Sequence, residues 1–360
     1  MKKIALLLSV CFLITLNTVV AQEEKTFVTK YDVKTTPVKN QSRSGTCWAF
    51  AGISFVETEL LRMEKGEYDL SEMYIVRNVY PIKADNYIRM QGKANFSAGG
   101  QGHDVLNAIK LSGFVPESVY PGLNYGKDYH DHSELDDYLS LLTKEALSKR
   151  LKSKSTFSDE LIIATLDEYL GSQPKDFTYK GNSFTAKSFF ASTEFITDDY
   201  IEITSYNNYP YYANCVLQVP DNWSFDSYLN VPLDDLMTIM EHALKNGYSI
   251  CWDGDVSGNF DRKTGLAQLP DETTEVTQKM RQTAFDKFES TDDHLMHITG
   301  LSLDENGRKY YITKNSWGTE HRYKGFWYMS EQYLRMNTVA ILVHKEALPE
   351  KIIKEIDFMN

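Results

Sequence analysis

The sequence is poor in cysteine, has no basic block, has no second long apolar run and contains no repeat. It holds 4 cysteines in 360 residues: Cys11, Cys47, Cys215 and Cys251. Cys11 lies in an N-terminal apolar stretch. Without that stretch an odd number remains, so at least one thiol is free. A disulfide framework is thereby excluded. Cys215 and Cys251 could pair only if their Cα atoms came within about 7 Å; otherwise they are two buried strand thiols, and sequence leaves both open. Lysines and arginines form no stripe, and 50 acidic against 38 basic residues give a net charge of −12. Nucleic acid and anionic membrane are therefore poor partners. No low-complexity tract is present, and past the N-terminus no stretch is apolar enough to span a bilayer.

What is there describes a folded protein. Hydrophobic residues make up 42%, with 23 Tyr and 18 Phe, more than a disordered chain carries. The length suits one large domain or two lobes sharing a cleft. At the N-terminus, Lys2 and Lys3 precede an apolar run from Ile4 to Leu16, and Val19 and Ala21 sit three and one residues before a cut ahead of Gln22. This is the pattern of a signal peptide over residues 1–21. The run is short for a membrane anchor, and bulky Val10 argues against lipid attachment at Cys11. An exported protein is expected, periplasmic, cell-surface or secreted, with no membrane contact once the leader is removed.

Residues 22–40 read as an extended lead-in, too short for an inhibitory pro-domain. Residues 47–65 and 70–79 have helical spacing, Gly99-Gly100-Gln101-Gly102 is a break, and a further helix runs through residue 109. Pro121-Gly122 closes this first section. Residues 123–193 are polar and helix-prone, a helical insertion. From 194 the chain is strand-like at 195–203, 213–219, 248–252, 294–303, 309–314, 325–329 and 338–343, interrupted by an amphipathic helix at 232–246. The division is 22–122, 123–193 and 194–360, and the class is α+β with a helical lobe and a β-rich lobe.

Cys47 opens the first helix. The helix dipole there favours a thiolate. Gln41, six residues upstream, can add its amide to the Cys47 N–H as an oxyanion hole. The plainer reading is a buried structural cysteine. A thiolate needs a base, and His294 and His297 compete for that role on one predicted strand. At a separation of three they face opposite sides. Asn315, after the next strand, can orient an imidazole as the third member of a triad, and Trp317 can shield that bond. Asp128-Tyr129-His130-Asp131-His132 reads as a solvated loop rather than a metal clip.

The run Gln41…Cys47-Trp48-Ala49-Phe50, His294 after Asp293, and Asn315-Ser316-Trp317-Gly318 resemble the papain-like cysteine peptidases in type, order and spacing. Within them the chain is similar to the bleomycin hydrolase/aminopeptidase C branch. Leu170-Gly171, Pro174 to Tyr179, Thr185 to Phe189, Asp198 to Ile201 and Trp252 to Val256 carry that similarity outside the site. The resemblance implies a two-lobe papain-like fold with a β-barrel-like right lobe and peptide or protein substrates. It implies no metal or organic cofactor. Cys47 would be the nucleophile, His294 the base, Asn315 its orienter and Gln41 an oxyanion donor. Gly99, Gly100, Trp317 and Asp293 would line the substrate site. A ring-shaped homo-hexamer is implied as well. Three departures stand out: the export signal, a C-terminal stretch shorter than the cleft-filling arm of the branch's aminopeptidases, and Gly102 in place of an aromatic residue, which would widen a subsite. The short tail raises endopeptidase action beside aminopeptidase action. The same residues would also serve a transferase using the same acyl-enzyme, and the same fold could carry a non-catalytic peptide binder.

Overall fold

The structure, a computed structural model, describes residues 25–153 and 160–359. The expected leader lies outside them. The chain begins with β1 (Val28–Asp32) and three helices, α1 (Cys47–Arg62), α2 (Glu72–Arg89) and α3 (Gly102–Ser112). The insertion follows as α4 (Ser133–Ser153), α5 (Glu160–Leu170), the hairpin β2 (Phe177–Tyr179) and β3 (Asn182–Phe184), and α6 (Ala186–Ser192). Then come β4 (Tyr200–Thr204), β5 (Ala213–Val216), β6 (Ser227–Asn230), α7 (Leu233–Lys245) and β7 (Ile250–Gly254). Two short strands, β8 (Phe260–Asp261) and β9 (Leu266–Ala267), precede α8 (Gln278–Asp286). The chain finishes with β10 (His294–Leu303), β11 (Lys309–Lys314), β12 (Phe326–Ser330), α9 (Glu331–Asn337), β13 (Thr338–His344) and α10 (Glu350–Met359).

One sheet runs β5-β6-β4-β13-β7-β10-β11-β12-β9-β8, with β1 added along β10. Its centre is antiparallel, while β4–β6 and β12–β9 are parallel. The central strands are buried on both faces, and period-two alternation sorts their side chains between two cores. Cys251, Leu295 and Leu342 join the helical core with Trp48, Phe50, Ile53 and Val105. Trp252, Met296, Ile298, Ile341 and Val343 join a second core with Leu236, Ile239 and Met240 of α7. The β-rich part thus presents one face to α1 and the other to α7.

Several boundaries differ from the sequence expectation. The second helix continues to Arg89, and its start is fixed by Ser71, whose hydroxyl accepts from the Tyr74 N–H, an N-cap bond. The strand expected at 195–203 begins only at Tyr200, because Thr197–Asp199 forms a 3-10 turn. The strand expected at 213–219 stops at Val216, where the chain turns into a loop held by Asn222 Nδ2 on the Leu217 carbonyl. The lead-in is no detachable segment. β1 pairs with β10, Thr36 donates to buried Glu57 at 2.6 Å, and Lys39 pairs with Glu72 at 2.9 Å and Asp69 at 2.8 Å. Its path crosses from the sheet to α1. Cys47, Cys215 and Cys251 are all free, so the two strand thiols are not bonded. Among the described residues no helix is long and apolar enough to cross a membrane.

Candidate active site

Cys47 is the first residue of α1 and half-buried. Gly45 lets the preceding turn approach the 98–100 segment, since a Cβ there would strike that of Ala98. Trp48 locks the same contact with its indole N–H on the Ala98 carbonyl at 2.9 Å. β10 brings the next residues to the sulfur: the Leu295 backbone N–H is directed at it. His294, one residue earlier and buried, turns to the other side of the strand. Its Nε2 meets Asn315 Oδ1 at 2.9 Å. That bond uses Nε2 and leaves Nδ1 as the second ring nitrogen. Trp317 stacks on the imidazole with ring centroids 4.8 Å apart, covering the histidine–asparagine bond as expected, and Arg262 lies over the outer face of Trp317.

His297 is the wrong histidine for this site. It points into the helical core, its Nδ1 on Ser54 Oγ at 2.9 Å and its ring beside Phe55. Gln41 is tied at both ends. Nε2 donates to the Ser44 carbonyl at 2.8 Å, and Oε1 accepts from Ser316 Oγ at 2.6 Å. One amide hydrogen is thereby committed and one remains. The Gln41 turn also receives the 128–132 loop, through Arg43 N–H on the His130 carbonyl and His132 N–H on the Arg43 carbonyl. This corrects the solvated-loop expectation: His130 and His132 are buried. Among the described residues no cluster of three metal-ligating side chains occurs.

The substrate-lining candidates separate. Gly100 is pressed against Trp48 and Asp104, where a side chain would collide. At Gly99 the carboxylate of Asp221 occupies the place of a Cβ. Asp293 is exposed and accepts from the Val256 N–H at 2.9 Å. Gly102 does not widen a subsite; it is buried at the start of α3 against Glu202 and Leu342. Sequence reading gives no sign that Asp221, Asp253 and Asp292 gather on the side of Cys47. The Asp292-Asp293 pair before His294 is the signal that could have found one of them, and motif matching selects only its second member.

The electrostatics are those of a closed, acidic site. Burial pushes the Cys47 thiol up to about 12, and Asp221, Asp253 and Asp292 push the same way against the Leu295 N–H. The helix dipole invoked from sequence is opposed by these surroundings. Burial also holds the His294 imidazole down at about 4, with Asn315 pulling upward. Both shifts favour the uncharged thiol and imidazole over the charged pair.

A thiol at a helix start, a buried imidazole oriented by an amide and a two-lobe α+β scaffold define a cysteine peptidase of papain-like fold. The chain belongs to the Peptidase C1-like family, whose model it matches over residues 9–359. It is 26% identical to aminopeptidase C of Streptococcus thermophilus, covering 91% of this chain and 84% of that protein. It is 25% identical to aminopeptidase G of Lactobacillus delbrueckii subsp. lactis, covering 88% and 83%. The mitochondrial cysteine proteinase 1 of Saccharomyces cerevisiae is 24% identical, covering 92% and 79%. The crystal structure of PepW from Lactobacillus rhamnosis shares the fold, with a TM-score of 0.76 at 22% identity over 92% of this chain and 85% of that one. The protein is a cysteine-type peptidase.

Proposed function

We propose that the protein is a cysteine aminopeptidase acting on peptides through a thioester, with Cys47 as nucleophile. The observation that carries this is the His294 Nε2–Asn315 Oδ1 bond on the strand that turns the Leu295 N–H to the Cys47 sulfur. With Nε2–H donating to the amide oxygen, the Nδ1 lone pair is left to take the thiol proton. Sulfur then bonds to the scissile carbonyl carbon. The oxyanion is held by the Cys47 N–H and the uncommitted Gln41 amide hydrogen, donors that count most where charge develops. The C–N bond breaks as His294 returns its proton to the leaving amine. Water adds to the thioester while His294 takes its proton, and the acid leaves as the thiol re-forms. Trp317 keeps solvent off the orienting bond throughout. The names of the relatives support an amino-terminal specificity.

Endopeptidase action is the second reading. One observation favours it: the last described helix, α10, packs Ile352 and Ile356 into the β-lobe core, so those residues are not what restricts the cleft. Matched fluorogenic peptides with free or acetylated amino termini decide between the two, with Cys47→Ala as control. Cleavage of the free peptide alone supports the aminopeptidase, cleavage of both the endopeptidase, and cleavage surviving in Cys47→Ala removes the nucleophile. Export through residues 1–21 and assembly as a homo-hexamer belong to the same proposal. N-terminal sequencing of the mature protein and sedimentation velocity test them.

A further inference from the structure

Beside the nucleophile is a group of carboxyls that the acyl-transfer steps leave unused. Asp253 of β7 pairs in register with Leu295, is buried, and neither of its oxygens meets a hydrogen-bond donor from the protein. What faces it is another carboxyl, Asp292, which accepts from Gln101 Nε2 at 2.7 Å. Gln101 is fully buried, and its Oε1 also lacks a donor. Asp221 reaches in from the loop after β5. Its Oδ1 accepts from Asn95 Nδ2 at 2.7 Å and Ser97 Oγ at 3.3 Å, and its Oδ2 lies against Gly99. The nearby cation, Lys83, is committed to the Ser97 and Gly99 carbonyls. Buried acceptors are ordinarily satisfied, and here three of them, both Asp253 oxygens and Gln101 Oε1, have no donor.

We propose that Asp221, Asp253 and Asp292, with Gln101 Oε1, seat a substrate cation: the free α-ammonium of the residue whose carbonyl Cys47 attacks. An ammonium brings three donors and one positive charge, which matches the unmet acceptors and the excess of carboxyls. Asp253 stands in register with Leu295, whose N–H faces the Cys47 sulfur, which puts the seat on the nucleophile's side of β10. The Asp221 carboxylate fills the space beside Gly99. A substrate that begins there fits, and a chain that continues upstream meets the carboxylate. In the free protein burial and the facing Asp292 hold the Asp253 carboxyl well above the usual carboxylate range, while burial and Asp221 push Asp292 up to about 7; the ammonium takes over the role of the proton on Asp253. This inference rests on the peptidase reading and adds the residues that select the amino terminus.

The test uses the full protein and the aminomethylcoumarin amides of leucine, N-acetyl-leucine and N-acetyl-lysyl-leucine. Wild type is expected to cleave the leucine amide at least about tenfold better than either blocked one. That free-to-blocked ratio is expected to fall by about tenfold or more in Asp253→Asn, Asp292→Asn and Asp221→Asn, the loss of one charge-assisted bond. The ratio cancels any loss of folded enzyme, and Asp221 is only half-buried, so its variant guards against misfolding. A ratio unchanged in all three variants overturns the seat and leaves the peptidase reading standing. Preference for the acetyl-lysyl substrate assigns the seat to a side-chain cation and overturns the α-ammonium. If wild type cleaves none of these, the peptidase reading fails separately, and alkylation of Cys47 by iodoacetamide still reads the seat. Protection by leucinamide but not by 4-methylpentanamide, which lacks the amine, supports it; equal protection or none overturns it.

Discussion

Replacing Asn315 with alanine isolates the orienting bond. The amide oxygen of Asn315 takes two hydrogens, from His294 Nε2 at 2.9 Å and from the Ser316 N–H at 2.7 Å. Alanine removes both acceptances in a buried site. A lost buried bond costs roughly 1–3 kcal/mol, and about 1.4 kcal/mol is tenfold in rate. The imidazole remains stacked on Trp317, so the ring keeps its plane and loses only its rotational anchor. A fall in kcat of about 30-fold is expected, in the middle of that range. KM is expected to move little, because no group that holds the substrate has changed. Steady-state kinetics on a free-amine dipeptide amide, beside thermal unfolding to confirm the fold, measures this. Asn315→Asp adds the complementary signature. An anion on Nε2 raises the imidazole from its depressed value, so the acid limb of the kcat/KM profile moves to higher pH. Activity of Asn315→Ala within about twofold of wild type, or a loss carried wholly by KM, would refute the orienting role.

Three further outcomes are expected. Gln41→Ala removes an oxyanion donor and the Ser316 tie together; kcat is expected to fall about a hundredfold, while Gln41→Glu, which keeps the tie but brings a charge that repels the oxyanion, stays as slow. Equal activity of Gln41→Ala and wild type would sink the oxyanion assignment. Burial holds His132 at about 4, below its ordinary 6.5, so the unfolded chain binds the proton more readily; the stability this histidine permits is complete above pH 6.5 and is lost as pH falls toward 4. At roughly 1.4 kcal/mol per pH unit the loss is about 2 kcal/mol at pH 5, and His132→Leu is expected to shrink the fall in urea-unfolding stability between pH 7 and pH 5 by about that amount, the buried His130 and His294 leaving the rest. Glu57→Ala strips the partner from Thr36 at 2.6 Å, the Leu70 N–H at 2.8 Å and Lys39 at 3.7 Å; urea unfolding is expected to show a loss of about 3 kcal/mol, and a loss under about 1 kcal/mol would show that the lead-in is not anchored through this carboxylate.

The local chemistry was legible because it is written in short, periodic or obligate patterns. Helical spacing from Cys47, the strand pattern from His294 to Leu303, and the Asn315-Ser316-Trp317-Gly318 turn each depend on neighbours in sequence, and each stands where the sequence placed it. The same holds for the amphipathic helix at Leu233–Lys245. What sequence could not decide was which side chains meet across hundreds of residues. The opposite facing of His294 and His297 followed from strand geometry, yet which of them joins Asn315 is fixed by the packing of β10 between α1 and α7. Asp221, Asp253, Asp292 and Gln101 sit on four separate segments, and no spacing along the chain predicts their convergence. Neither does composition foretell that His130 and His132 are buried under the Gln41 turn, or that a lead-in of polar residues becomes a strand and an ion-pair anchor. By itself the sequence determined the peptidase class and the α+β fold, because these are written in residue chemistry and local backbone preference. Tertiary structure alone decided the electrostatics around Cys47 and His294, because burial and the approach of carboxyls from distant segments are properties of the packed lobes.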